Sequence, residues 1–115
     1  MRARGKSLKT AFLKVFKSFK KFVDNVDMRE SDIEKRIKQR VEKAGGRCLK
    51  WVSPGFSGVP DRIIILPGGR IIFAEIKRPG EKPRPRQRRV AQILRGLGCE
   101  VVVLDDPDQL KEVIR

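Results

Sequence analysis

Residues 60–77 read PDRIIILPGGRIIFAEIK: two apolar runs around Pro-Gly-Gly, with an aspartate at the entrance and Glu-x-Lys at the exit. Runs of β-branched residues bounded by turn formers are strands, so the spacing predicts a hairpin with strands near 61–66 and 70–77. A three-residue loop, Pro67-Gly68-Gly69, with glycine in the left-handed position pairs Leu66 with Arg70. That register sets Asp61 directly opposite Glu75, with Cβ atoms about 4.5–5.5 Å apart on one face and Lys77 projecting from the same face. A loop of two or four residues would break the alignment. Two facing carboxylates repel, and the pair takes up either a proton or a cation. Converging carboxylate oxygens beside a phosphate are the ligands Mg²⁺ uses, and the ion there polarises a phosphoryl oxygen and acidifies a bound water. Lys77 adds a charge to hold the phosphate or to stabilise the transition state. The structural alternative is that Asp61 caps a turn after Pro60 while Glu75 pairs with Lys77 or an arginine.

The flanking sequence fits the phosphate reading. From Lys77 to Arg89 the cations Lys77, Arg78, Lys82, Arg84, Arg86, Arg88 and Arg89 face one acid, Glu81, as a strip that tracks a phosphate backbone does. In the helix that follows, Gln87 shares a face with Val90, Ala91 and Leu94 and points back toward the sheet. There it orients a water or phosphate, or it caps a backbone group. Glu34 also has two readings. Ser31-x-x-Glu34 fits a capping box, yet Glu34 also flanks the stripe of Ile37 and Val41, within reach of the sheet as a third carboxylate. Glu30 is the alternative for that role.

Composition narrows the chemistry. The 115 residues suffice for one domain with a modest core. With 28 Lys and Arg against 14 Asp and Glu, the net charge is +14, which points to a polyanionic partner, nucleic acid first and acidic lipid second. No histidine is present, which removes histidine general bases, Ser-His and Cys-His pairs and histidine-ligated zinc. Cys48 and Cys99 form no metal or redox motif and read as small hydrophobes in a reducing compartment. The basic start lacks the apolar run of a secretory signal, and no stretch approaches the roughly 18 apolar residues of a membrane span. The expectation is a soluble intracellular protein.

Along the chain, residues 1–28 read as a basic amphipathic helical extension, with Leu8, Phe12, Val15, Phe16, Phe19, Val23 and Val26 at three- and four-residue steps. Such a helix packs on the domain, pairs with a second subunit, lies on a membrane or embraces DNA. Packing or pairing is favoured, because the stripe needs covering. Ser31 opens a second helix buried through Ile33, Ile37, Val41 and Ala44 and stopped by Gly45-Gly46. RCLKWV, residues 47–52, alternates as a strand, and 53–60 is a loop. After the hairpin come a helix from about Pro85 to Leu97, an apolar strand CEVVVL at 99–104 of the buried parallel kind, and a last helix from Pro107 capped by Asp106 or Asp105. The order helix, three strands, helix, strand, helix is an α/β sandwich on a mixed four-stranded sheet.

GVPDRIIILPGGRIIFAEIK followed by Gln87 resembles the virus-type replication-repair nuclease (VRR-NUC) branch of the PD-(D/E)xK superfamily. The likeness spans roughly residues 29–115 and includes Gly45-Gly46, the SPG of 53–55 and the GVPD of 58–61. It implies an α/β/α nuclease fold over 29–115, with Asp61 and Glu75 as metal ligands joined by the Ile76 carbonyl. Lys77 and Gln87 complete the implied catalytic set, and Glu34 matches the first-helix glutamate. It further implies a Mg²⁺- or Mn²⁺-dependent endonuclease, homodimeric, acting on branched DNA such as four-way (Holliday) junctions in the cytoplasm of a bacterial or phage-infected cell. Arg78, Lys82, Arg84, Arg86, Arg88 and Arg89 are the candidate DNA contacts. The competing reading is a non-catalytic nucleic-acid-binding module of the same fold, though such a module gains nothing from acids that oppose phosphate.

Overall fold

A computed structural model of the chain describes the backbone of residues 2–26 and 28–115, with side chains over 8–20 and 28–115. The elements run α1 (Arg2–Val26), α2 (Glu30–Lys43), β1 (Arg47–Lys50), β2 (Arg62–Ile65), β3 (Ile71–Ile76), α3 (Pro85–Gly96), β4 (Glu100–Leu104), a 3₁₀ turn (Pro107–Gln109) and α4 (Leu110–Val113). The sheet has the order β1-β2-β3-β4, antiparallel except for the parallel pair β3 and β4. Helix α2 and the C-terminal helix cover one face and α3 the other, giving the expected α/β/α arrangement.

Strand alternation sorts the side chains between these faces. Ile64, Ile72, Ala74 and Ile76 point toward α2 and meet Ile33, Ile37 and Val41, all fully buried. Leu104 and Leu110 close the same core at its C-terminal end, where Arg40 Nη1 on α2 donates to Asp108 Oδ1 at 2.7 Å. Cys48 is buried in this layer and Cys99 is half-buried, both as free thiols. On the opposite face, Val90 and Ala91 of α3 cover Val101, and Trp51 packs on Phe73 with ring centroids 4.9 Å apart.

The hairpin forms in the expected register. Arg62 pairs with Ala74 and Ile65 with Ile71, the Leu66 N–H donates to the Arg70 carbonyl at 2.8 Å, and Gly68 and Gly69 take φ of +90° and +86°. Gly45-Gly46 ends α2, where a Cβ on Gly46 would sit 2.4 Å from the Ile65 carbonyl oxygen. Pro85 opens α3, and Asp106 caps the 3₁₀ turn by accepting from the Asp108 N–H at 2.9 Å.

Four expectations change. Ala44, expected in the buried stripe of α2, is the exposed residue that caps its C-terminus, because the helix already ends at Lys43. Helix α2 begins at Glu30, not after Ser31: Asp32 reaches back to accept the Arg29 N–H at 3.2 Å, so no Ser31–Glu34 capping box forms and Glu34 is freed from that structural role. Strand β4 is parallel as expected but lies at the sheet edge: Val102 and Leu104 turn into the core beneath α2, while Val103 on the other face is 37% exposed. The side chains of α1 from Leu8 to Lys20 are exposed, not packed on the sheet layers. Within the expected extension of 1–28, Met1 and Asp27 lie outside the described residues, as do the side chains of Val23 and Val26 from its expected stripe.

Candidate active site

The three-residue loop of the hairpin fixes the centre of the site. Because Arg62 pairs with Ala74, the next residue out, Asp61, stands opposite Glu75. The Asp61 carbonyl accepts the Trp51 N–H at 2.9 Å, and its Oδ2 accepts the Ile76 N–H at 2.9 Å. These two bonds anchor the residue to strands on either side of it.

Glu75 and Lys77 are 4% and 6% exposed, the only charged residues among the described ones to be buried this far. Gln87 makes the backbone cap considered for it and reaches Glu75 as well. Its Oε1 accepts the Arg84 N–H at 2.8 Å, which caps α3, and its Nε2 donates to Glu75 Oε1 at 2.8 Å. Lys77 Nζ lies 3.8 Å from Glu75 Oε1 and 3.9 Å from Glu81 Oε1. Burial first, then hydrogen bonding and repulsion from Asp61, push the Glu75 carboxyl up to about 8 against the pull of Lys77. The site thus concentrates more negative charge than it can hold bare, as a cation-binding centre does.

Helix α2 brings further carboxylates to the same place. One oxygen each of Glu30, Glu34 and Asp61 lie within 4.8 Å of one another. Glu34 also faces Arg62, with Oε2 3.7 Å from Nη2. The Glu30 carboxyl is pushed above its ordinary range by burial and by Asp61. The donor set is all oxygen, which suits a hard divalent ion such as Mg²⁺ or Mn²⁺.

Arg78, Lys82, Arg84, Arg86, Arg88 and Arg89 are all exposed around the start of α3. Arg86 lies over the Phe56 ring, 5.1 Å from its centroid, and its Nε donates to the Ser57 carbonyl at 3.2 Å. This ties the 53–60 loop to α3. A cleft of about 130 Å³ opens beside Glu75, lined by Gln87, Pro60, Arg88 and Val101 among others.

Two site neighbours escaped the sequence reading. Arg62 is sent by alternation to the α2 face, where it meets Glu34; its position after Asp61 was the available signal. Glu81, the lone acid of the cationic strip, partners Lys77 across the Pro79-Gly80 turn.

No family model matches the chain. Over 81 residues it is 53% identical to "Putative nuclease p44" of Acyrthosiphon pisum secondary endosymbiont phage 1, covering 70% of this chain and 87% of that protein. A solved structure of a "VRR_NUC domain" superposes with a TM-score of 0.70 at 37% identity, over 74% of this chain and 92% of the domain.

Proposed function

Because the chain belongs to the VRR_NUC nuclease family, we propose that it is a Mg²⁺- or Mn²⁺-dependent DNA endonuclease that selects branched substrates such as four-way junctions. The observation that carries this reading is the opposition of Asp61 and Glu75 beside the buried Lys77. Asp61, Glu75 and the Ile76 carbonyl would hold the metal, with Glu34 and Glu30 closing the site from α2. When bound, the ion supplies a polarised phosphoryl oxygen and an acidified water for hydrolysis.

The chain's own residues do the rest. Lys77 is held at depth by Glu75 and Glu81, so its ammonium is placed before substrate arrives and stabilises charge that grows on the phosphoryl group. Gln87 fixes the Glu75 carboxylate through one oxygen and leaves the other for the ion. The cations from Arg78 to Arg89 position the sugar–phosphate backbone and read no sequence, which suits recognition of DNA shape. One chain carries one such centre, so paired cuts across a symmetric junction call for a two-fold dimer. The exposed Leu49 and Ile71, each 48% exposed on the sheet face that α3 leaves open, offer a surface for a second copy.

The test is cleavage of labelled four-way junction, flap and linear duplex DNA with Mg²⁺, Mn²⁺ or EDTA, comparing the wild type with Glu75→Ala. Metal-dependent cutting of the junction, lost in the variant, is the expected result. Tight binding without cutting in either metal would replace the reading with a non-catalytic binding module.

A further inference from the structure

Helix α1 carries an apolar stripe that nothing among the described residues covers. Leu8, Phe12, Val15, Phe16 and Phe19 are between 54% and 69% exposed. Their three- and four-residue spacing puts them on one side of the helix, where the Phe12 and Phe16 rings stack with centroids 6.4 Å apart. Lys14 and Lys17 fall roughly opposite and Lys9 and Lys20 along a flank, all exposed. From Leu8 to Lys20 there is no acidic residue.

The charge pattern chooses between occupants. A second copy would cover the phenylalanines but bring together two Leu8–Lys20 stretches whose flanking charges are all positive, with no acids there to alternate with the lysines across the seam. Duplex DNA would engage the lysines and leave the stripe in water. A lipid surface with acidic headgroups takes both faces at once, the rings entering the acyl boundary while the lysines remain among the headgroups. Among the described residues no helix is long and apolar enough to cross a membrane, so the arrangement that fits α1 is flat in the interface.

We propose that α1 docks the protein on anionic bilayers. The test is co-sedimentation of the full chain with vesicles of phosphatidylcholine alone and of phosphatidylcholine mixed with phosphatidylglycerol. Binding is expected to the mixed vesicles only and to weaken as salt rises. Replacing the rings together (Phe12→Ser, Phe16→Ser, Phe19→Ser) keeps every positive charge and is expected to cut binding by about tenfold or more. Lys14→Gln with Lys17→Gln, which leaves the rings in place, is expected to weaken binding to mixed vesicles as well. Vesicle binding unchanged in the ring variant would assign it to the general positive charge and overturn the proposal. So would a wild-type chain that ignores mixed vesicles, whether it then pairs through α1 in sedimentation equilibrium or loses duplex affinity in the lysine variant.

Discussion

Glu75 is buried beside a second carboxylate, and its proton affinity therefore reports on the whole site. Without a cation its carboxyl titrates at about 8, against 4.5 when unperturbed. Between those values the folded chain holds a proton that the unfolded chain releases, so folding stability falls as pH rises. The contribution is complete below about 4.5 and is lost as pH climbs through about 8. Thermal unfolding in EDTA should therefore show a wild-type Tm that declines from about pH 5 to about pH 8, while Glu75→Gln stays nearly level across that window. Mg²⁺ should raise the wild-type Tm most at the upper end, where the carboxylate is ionised and the ion has a site to fill. A wild type with a flat profile in EDTA would mean that Glu75 keeps an ordinary carboxyl in solution. The opposition of Asp61 and Glu75 was legible in the sequence because a three-residue loop fixes hairpin register. The proton affinity was not, because it depends on how deeply α3 buries the strand end.

Elements place the acids, and they do so with different certainty. The first two turns of α2 bring Glu30 and Glu34 beside Asp61 together, whereas the sequence favoured Glu34 and kept Glu30 in reserve. Periodicity gives the buried stripe of a helix but not where its first turn ends relative to a sheet, and here Asp32 caps the helix earlier than Ser31 would. Glu34 already faces Arg62 at 3.7 Å, while the Glu30 carboxyl is pushed upward by burial and Asp61. Glu30→Gln should accordingly weaken Mg²⁺ binding, by about tenfold in a calorimetric titration, and more than Glu34→Gln; equal losses would make the two carboxylates equivalent ligands. The loop before Asp61 is held just as specifically. Gly58 has φ of +87°, and a Cβ there would stand 2.8 Å from Arg86 Cγ and 3.1 Å from the Arg86 carbonyl oxygen. Gly58→Ala should cost about 1–3 kcal/mol in urea unfolding and lower cleavage by displacing Pro60-Asp61. Unchanged stability would show that the loop does not need its close approach to α3.

At the scale of the whole molecule, the cluster of facing acids and the exposed arginines of α3 occupy different places around the site, and this arrangement links folding to substrate. The acidic residues that face one another gather where β2, β3 and α2 meet, while Arg84, Arg86 and Arg88 stand exposed at the start of α3. The same helix supplies Gln87 to Glu75, so the element that aligns the acid also carries the cations that would align the phosphates. The net charge of +14 announced a polyanionic partner at once, but α1 and α3 share that charge and composition alone does not divide their roles. Neutralising Arg84, Arg86 and Arg88 together divides them. If α3 carries the phosphate track, the slope of log affinity for junction DNA against log salt should shrink by about 2–3, following roughly 0.9 per lost contact. Arg86 has a second duty on Phe56 and Ser57, so the single change Arg86→Gln should also loosen the 53–60 loop and reduce cleavage more than binding. Arg88→Gln should reduce the two together. A triple variant with the wild-type salt slope would move the DNA path off α3, and α1, with its four exposed lysines between Leu8 and Lys20, would be the next surface to neutralise.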